Sequence, residues 1–390
     1  MNKKKFISTA VMIGLIFGLT SCMPGSRVTA HSTDISGGKS ITSDATYKTA
    51  AESSGNASSV IKKADRAVAA PDKKKEKKDK IVKIKISAAG DCTLGVDSRY
   101  NTRFNQKYNA KGSSYFLKKV KNVFSKDDIT IVNLEGTLTN STSRASKAFT
   151  FKGKKSYTKI LTSGSVEAVT IANNHTMDFG SQGFKDTKKA VRDAGIRCFG
   201  YGDISYKTVK GEKVAMIGVN ALPSQGKKDA YVKNLINKAK KNKPDLIIIY
   251  FHWGIEQNST PNSTQKNLAH KSIDWGADLV LGSHPHVLQG IEKYKGRYIV
   301  YSFGNFCFGG NSNPKDKDTM IFTQTFTFKN KKLTTKNDAK VIPCSVSGVK
   351  YTNDFQPRVL SGSEKTRVRN KINYRSRGMR TKINKNGSLT

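Results

Sequence analysis

Leu246-Ile247-Ile248-Ile249-Tyr250-Phe251-His252-Trp253-Gly254-Ile255-Glu256 opens with six apolar or aromatic residues and then meets a histidine. An unbroken apolar run of this length reads as a strand covered on both faces. In an open α/β sheet, ligands bind in the crevice outside the carboxyl ends of the strands. His252 and Glu256 therefore stand where a sheet presents its chemistry.

The same pattern recurs on both sides of this stretch. Strands are expected at residues 81–88, 129–134, 168–172, 213–219, 246–251, 278–282 and 297–303. Helical segments fall between them. In one, Phe184, Thr187, Val191 and Ala194 share a face and Gly195 supplies the stop. Another, 231–241, is lysine-rich on its exposed side. A third, 264–275, brings Leu268, Ser272 and Trp275 together. Such alternation argues for a layered α/β domain. Two later strands, 320–328 and 332–341, lack intervening helices and predict an antiparallel edge or a second sheet.

Six polar motifs close six of the strands. They contain Asp91, then Asn133 and Glu135, then Asn174, His175 and Asp178, then His252 and Glu256, then His284 and His286, and finally Asn305. Four of the six histidines are among them. Mixed imidazole, carboxylate and amide donors suit Zn, Mn, Fe or similar divalent ions. His284 and His286 flank a proline, and in extended backbone that spacing points both rings to one side. They would grip two neighbouring ions, or one ion and a substrate oxygen. Two ions about 3.5–4 Å apart can clamp the attacking and leaving oxygens of a phosphoryl displacement.

Each residue has a plainer reading. Asp91 beside Gly90 suits a turn, Asn173-Asn174 a turn pair, Glu135 a lysine partner, and His252 packing on Trp253. Their shared position at strand ends favours the joint functional reading. His270 falls in a predicted helix and reads as structural or surface. Cys92 and Cys307 occupy apolar slots beside the motifs.

The 390 residues suit one large domain or two small ones. Lys plus Arg number 69 against 29 acidic residues, a formal charge of +40, and a field of that sign attracts polyanions. Nucleic acid is discounted as the partner because the chain opens like an exported protein. Lys3, Lys4 and Lys5 precede an apolar stretch, 6–19, and then Leu19-Thr20-Ser21-Cys22. The stretch is short for a spanning helix, which needs roughly 20 apolar residues. The tetrad resembles a lipobox, with Cys22 as the lipidated residue. An ordinary cleaved signal and an uncleaved anchor are the alternatives, and all three place the body outside the cytoplasm.

Residues 1–22 are thus expected as a lipoprotein-type signal peptide, and 23–80, which include His31, as a disordered Ser/Thr/Ala/Lys-rich tether. The folded domain is expected at 81–345. A basic tail is expected at 346–390, whose last thirty residues carry nine Lys/Arg and one Glu. Cys92, Cys198, Cys307 and Cys344 match no metal or redox spacing and are expected as buried apolar side chains.

Taken together, Gly90-Asp91-x-x-Leu94-Gly95, Asn133-Leu134-Glu135-Gly136, Ala172-Asn173-Asn174-His175-x-x-Asp178-x-Gly180, His252-Trp253-Gly254-x-Glu256, Gly282-x-His284-Pro285-His286-Val287-x-Gln289 and Tyr301-Ser302-x-Gly304-Asn305-Phe306 resemble the signature set of the CapA family of poly-γ-glutamate capsule synthesis proteins. The match covers roughly 81–312. The resemblance implies a four-layer α/β/β/α sandwich of the metallophosphoesterase type. It implies one or two divalent ions on Asp91, Glu135, Asn174, His252, His284 and His286. It implies that His175 is a general acid or phosphate contact, oriented by Asp178. Asn133, Glu256 and Asn305 are the expected substrate contacts. The implied partners are an acidic capsule polymer or a phosphorylated wall substrate, a membrane-bound amide ligase complex, and the outer face of the cell membrane through the lipid anchor. Two positions depart from the phosphoesterase pattern. Thr93 stands where a histidine is usual, and Glu135 where an aspartate is.

These features support three functions: capsule assembly around a metal site, a secreted phosphodiesterase or phosphatase acting on wall polymers or nucleotides, and a non-catalytic module that captures polyanions.

Overall fold

The computed structural model describes residues 78–390, apart from 101 and 102. The leader, Cys22, His31 and all but the last three residues of the expected tether lie outside the described residues. In chain order the first strands are β1 (Ile81–Thr93), β2 (Ile129–Leu134), β3 (Thr137–Leu138), β4 (Lys152–Gly153), β5 (Ala168–Thr170), β6 (Arg197–Phe199), β7 (Ile204–Val209) and β8 (Glu212–Ala221). They continue with β9 (Leu246–Trp253), β10 (Leu279–Ser283), β11 (Ile291–Tyr294), β12 (Arg297–Val300), β13 (Asn305–Phe308), β14 (Asp318–Lys329), β15 (Lys332–Ser345) and β16 (Arg358–Val359). The helices are α1 (Phe104–Lys111), α2 (Lys121–Phe124), α3 (Thr158–Ser163), α4 (Gly180–Asp193), α5 (Asp229–Lys241), α6 (Ser263–Asp274) and α7 (Gly362–Arg375).

Two mixed sheets result. One runs β16-β15-β14-β1-β2-β5-β6, with β13 added beside β1; the other runs β11-β12-β10-β9-β8-β7. Strand β9 shows why the two stack. Ile248 and Tyr250 enter a core shared with Ile84, Ile86 and Ile131 of the first sheet. Ile247, Ile249 and Phe251, on its other face, pack beneath Val232, Ile236 and Leu268 of α5 and α6. A third core lies under the far face of the first sheet, where Val132, Leu134 and Val169 meet Phe124, Ile160 and Val191. Three cores between four layers make an α/β/β/α sandwich. Each such side chain contributes roughly 1.5–3 kcal/mol by leaving water. The continuous apolar runs are the trace of strands covered on both faces.

The three expected helices form as α4, α5 and α6, and the two late strands pair antiparallel as β14 and β15. All four described cysteines are free and buried, as their apolar reading requires. Among the described residues no helix is long and apolar enough to cross a membrane.

The C-terminal segment corrects the expectation of a basic tail from 346 onward. Strand β16 pairs with β15, and Val368, Ile372, Ile383 and Leu389 enter the inter-sheet core. Leu389 N–H donates to Ala339 O of β15, and Thr381 Oγ1 donates to Ile291 O of β11. The segment thus ties the first sheet to the second. The folded domain therefore continues well beyond residue 345.

Candidate metal centre

Strand β1 delivers the first ligand through a break in its pairing. Residues 81–88 pair with β14; the register then shifts, and Asp91 pairs with Asn305 of β13. The chains approach so closely that a Cβ on Gly90 would lie 1.9 Å from Gly304 O, so only glycine fits. Asp91, past this irregularity, is fully buried at the floor of the site. Glu135 follows β2 directly and is also fully buried. His252 sits within β9, and His284 follows β10. Tyr250 ties the two sheets beneath them, its hydroxyl 2.8 Å from both Ala89 O and Ser283 Oγ.

His284 and His286 correct the extended backbone expected for them. Their φ angles are +98° and +57°, a region that costs a non-glycine residue energy and recurs at functional sites. Both rings still reach the cluster, with centroids 5.8 Å apart.

The structure brings together all six expected ligands. His252 Nε2 lies 2.8 Å from Asn174 Oδ1, 3.1 Å from His284 Nδ1 and 3.7 Å from Glu135 Oε1. Only one hydrogen fits among the first three atoms, so the point suits a cation held by N and O donors. On the other side, His286 Nδ1 lies 3.4 Å from Asp91 Oδ2, and His286 Nε2 lies 3.8 Å from Glu135 Oε1. Asp91, Glu135 and His286 offer ligand atoms within 4.8 Å of one another, and so do Glu256, His284 and His286. Glu135 Oε1 lies between the two halves, buried and without a hydrogen bond. A buried carboxylate oxygen left in that state is costly unless a cation takes it.

The electrostatics divide the same way. Burial, the His284 ring and the His286 ring hold His252 well below the usual imidazole range. Burial and the His286 ring push His284 down to about 4. Neutral imidazoles keep a lone pair for an ion. Burial and the neighbouring Asp91 raise Glu135, while His286, against its own burial, is raised by Glu135 and Asp91. With both carboxylates ionised, two negative charges face one imidazole, and a divalent ion would balance them. On donor chemistry, orphaned oxygen and charge, these residues fit such an ion.

His175 and Asp178 form a second unit beside the cluster. His175 Nδ1 is 2.7 Å from Asp178 Oδ2, so the ring presents Nε2 away from the carboxylate. Burial lowers the His175 pKa against the opposing pull of Asp178. Lys147 Nζ reaches Asp178 Oδ1 at 2.6 Å and Asn174 O at 2.8 Å. A cavity of about 300 Å³ opens over this face, lined by His175, Glu256, His286 and Asn305 and walled by Phe149, Phe151 and Phe308. A larger cleft, about 780 Å³ between β6 and β7, holds none of these residues.

Of the expected substrate contacts, Glu256 and Asn305 line the cavity, and Asn305 Oδ1 also holds His286 Nδ1 at 2.9 Å. Asn133 does not. It is fully buried behind the ligands, its amide nitrogen 2.7 Å from Asp91 Oδ1 and 3.2 Å from His252 Nδ1. Its place corrects the substrate-contact expectation to one of positioning. Thr93 Oγ1 donates to Glu135 Oε2 at 3.1 Å and fixes that carboxylate. His270 is remote from the cluster, stacked on Tyr294 and 2.8 Å from Glu292 Oε1, as its structural reading requires. Sequence reasoning missed Asn173, whose amide holds Asn133 Oδ1 at 3.0 Å, and Lys147, one lysine among many.

The chain is similar to several known proteins. Residues 85–310 match the family model described as bacterial capsule synthesis protein PGA_cap. The chain is 32% identical over 249 residues to the PGA biosynthesis protein CapA of Bacillus subtilis (strain 168), covering 58% of this chain and 63% of that one. It is 30% identical over 252 residues to the capsule biosynthesis protein CapA of Bacillus anthracis, covering 58% and 60%. It thus spans less than two thirds of the length of either relative. Among solved structures, a novel phosphatase from Mycoplasma pneumoniae aligns over 68% of this chain and 95% of its own, at 18% identity and a TM-score of 0.41. A hypothetical protein from Thermus thermophilus aligns over 67% and 99%, at 15% identity and a TM-score of 0.43. The family match takes in more than half of the chain and every residue of the cluster, and on that ground this protein belongs to the bacterial capsule synthesis protein PGA_cap family.

Proposed function

We propose that this protein serves poly-γ-glutamate capsule synthesis or export through a divalent-metal site that acts on a phosphorylated or γ-glutamyl substrate. The observation that carries the metal reading is the convergence of His252 Nε2, His284 Nδ1 and Asn174 Oδ1 beside the orphaned Glu135 Oε1. Asp91, Glu135, Asn174, His252, His284 and His286 would hold one or two ions of the Mn, Zn or Fe type. Such an ion supplies Lewis acidity toward a phosphoryl or acyl oxygen. The chain's own groups do the rest. Asp178 fixes the His175 ring through Nδ1, and His175 lines the cavity, where its protonated form would give the Nε2 proton to a departing oxygen or nitrogen. Lys147 holds Asp178 from the far side and keeps that ring in register. Phe149, Phe151 and Phe308 limit water around the reacting group.

The leader motif supports tethering through Cys22 to the outer face of the cell membrane. There the protein would meet a membrane-bound amide ligase complex and the emerging acidic polymer. The charge of +40 supports retention of that polymer near the membrane.

Thr93 favours a second reading. A hydroxyl bonded to Glu135 offers no lone-pair nitrogen at that corner of the site. With one subsite weakened, the cleft would bind the acidic polymer through a single ion and leave it intact.

One experiment separates the readings. The purified protein is supplied with Mn²⁺ or Zn²⁺ and tested for hydrolysis of a model phosphodiester and of poly-γ-glutamate, with binding to that polymer measured in parallel. Turnover that disappears with chelator and in His284→Ala is the expected result. Binding without turnover, weakened by chelation to the level of the charge-driven surface contact, establishes the second reading. Binding that ignores both chelator and His284→Ala defeats the metal-site proposal.

A further inference from the structure

We infer that Glu256 is a metal ligand at the mouth of the site, closing from the solvent side a coordination shell that the buried residues leave open. The inference rests on the reading that the cluster holds divalent ions.

Around His286, among the described residues, the buried carboxylates that offer ligand atoms are those of Asp91 and Glu135. Of the other polar groups there, Thr93 directs its hydroxyl to Glu135 Oε2, Asn133 donates to Asp91 Oδ1, and Asn305 Oδ1 faces His286 Nδ1. Ions of this class take four to six donors. The missing donors must come from solvent or from the rim, where Glu256 and Asp316 are the carboxylates lining the cavity; Lys371 holds Asp316 at 3.1 Å, which leaves Glu256. Its oxygen, His284 and His286 offer ligand atoms that all lie within 4.8 Å of one another.

The backbone holds Glu256 in that position. Strand β9 ends at Trp253, and Gly254, at φ +84°, turns the chain over the site. The next link is direct: Gln257 N–H donates to Pro285 O at 2.8 Å, between the two histidines. The Glu256 loop and the histidine turn are therefore fastened together, and the reach of the carboxylate to both rings does not depend on a free loop. Among the described residues the Glu256 carboxylate makes no salt bridge, in a chain with 69 basic residues. An exposed acid with so many cations available, aimed instead at two imidazoles, is suited to a divalent ion shared with them.

The test uses the full-length chain, stripped with chelator and titrated separately with Mn²⁺ and Zn²⁺ by calorimetry. Bound metal is counted by elemental analysis. Glu256→Gln keeps size and removes charge and ligand strength; its exposed position spares the fold, which circular dichroism checks. The expected result is the loss of one metal equivalent or about a ten- to hundredfold weaker affinity. Glu256→Asp, which keeps a carboxylate, should recover part of the loss. Wild-type affinity and stoichiometry in Glu256→Gln would overturn the inference and leave the buried site standing. A wild-type chain that takes up no ion would remove the underlying reading and the inference with it.

Discussion

Glu135 is the residue at which stability and function pull apart. It is fully buried, with Thr93 on one oxygen and no hydrogen bond on the other, and Asp91 lies close by. Burying a carboxylate this way costs free energy that only a positive partner offsets. Glu135→Gln removes the excess charge and leaves Asp91 opposite His286. In chelator the variant should therefore melt no lower than the wild type. Mn²⁺ at about a hundredfold excess over its Kd stabilises the native state by about 2.7 kcal/mol, several degrees in Tm, and should do so for the wild type alone. Equal shifts in the two proteins, followed by scanning calorimetry, would rule out Glu135 as a ligand. The paired glycine and histidine positions belong to this scale as well. Gly90 lets β1 touch Gly304, and the left-handed backbone at His284 and His286 aims two rings that a straight strand would send elsewhere.

Among the elements, α7 is the piece whose attachment is open to pH. Asp318 of β14 is buried and holds Arg367 at 2.6 Å and Lys371 at 2.5 Å, both on α7. Burial alone would raise its pKa, but Arg367 and Lys371 outweigh it and hold the carboxyl below its ordinary value. A carboxylate depressed in the folded state stabilises above its unfolded pKa, about 3.9, and that stability is lost as pH falls through the folded value. Asp318→Asn should cost about 1–2 kcal/mol at pH 7, less than a wholly buried pair because Arg367 is more than half exposed. The wild-type advantage should start to shrink in urea melts as pH falls below about 4 and disappear only below the folded value; a difference that stays constant down to the acid limit of folding would contradict the ion-pair account. Helix α7 was also the element least legible in the sequence. Only Val368 and Ile372 among its residues are buried, surrounded by basic side chains, so its apolar signal is two residues one turn apart. Strands β6 and β11, at three and four residues, were too short to stand out. The runs of β2, β8, β9 and β10 were legible because both their faces are covered. The site motifs were legible because each follows or ends a strand. What stayed hidden was relation: which amide lies behind which ligand, as Asn173 and Asn133 show, and which of many lysines reaches Asp178.

For the whole molecule the decisive quantity is charge. A field of +40 acts on an acidic polymer over about 10 Å at 0.1 M salt and about 3 Å at 1 M. Binding of poly-γ-glutamate measured in chelator should therefore fall steeply between those concentrations, as fluorescence anisotropy would read. Affinity indifferent to salt would place recognition in the cleft and not on the surface. Architecture adds a constraint of another kind. Strand β1 stands at the centre of its sheet, yet its two sides are filled by distant parts of the chain: Ile86 faces Ile129 on one, while Ile84 faces Phe326 on the other. The parallel neighbours β2, β5 and β6 can assemble early, whereas the β14–β15 hairpin reaches β1 only after the second sheet has been spelled out. Until then the opposite border of β1 is unpaired, with Val82, Ile84 and Ile86 uncovered between Lys83 and Lys85, and an unpaired border is where strands are borrowed from other molecules. A partly formed molecule of this kind needs either speed or shielding to reach its native pairing before a neighbour supplies the wrong one.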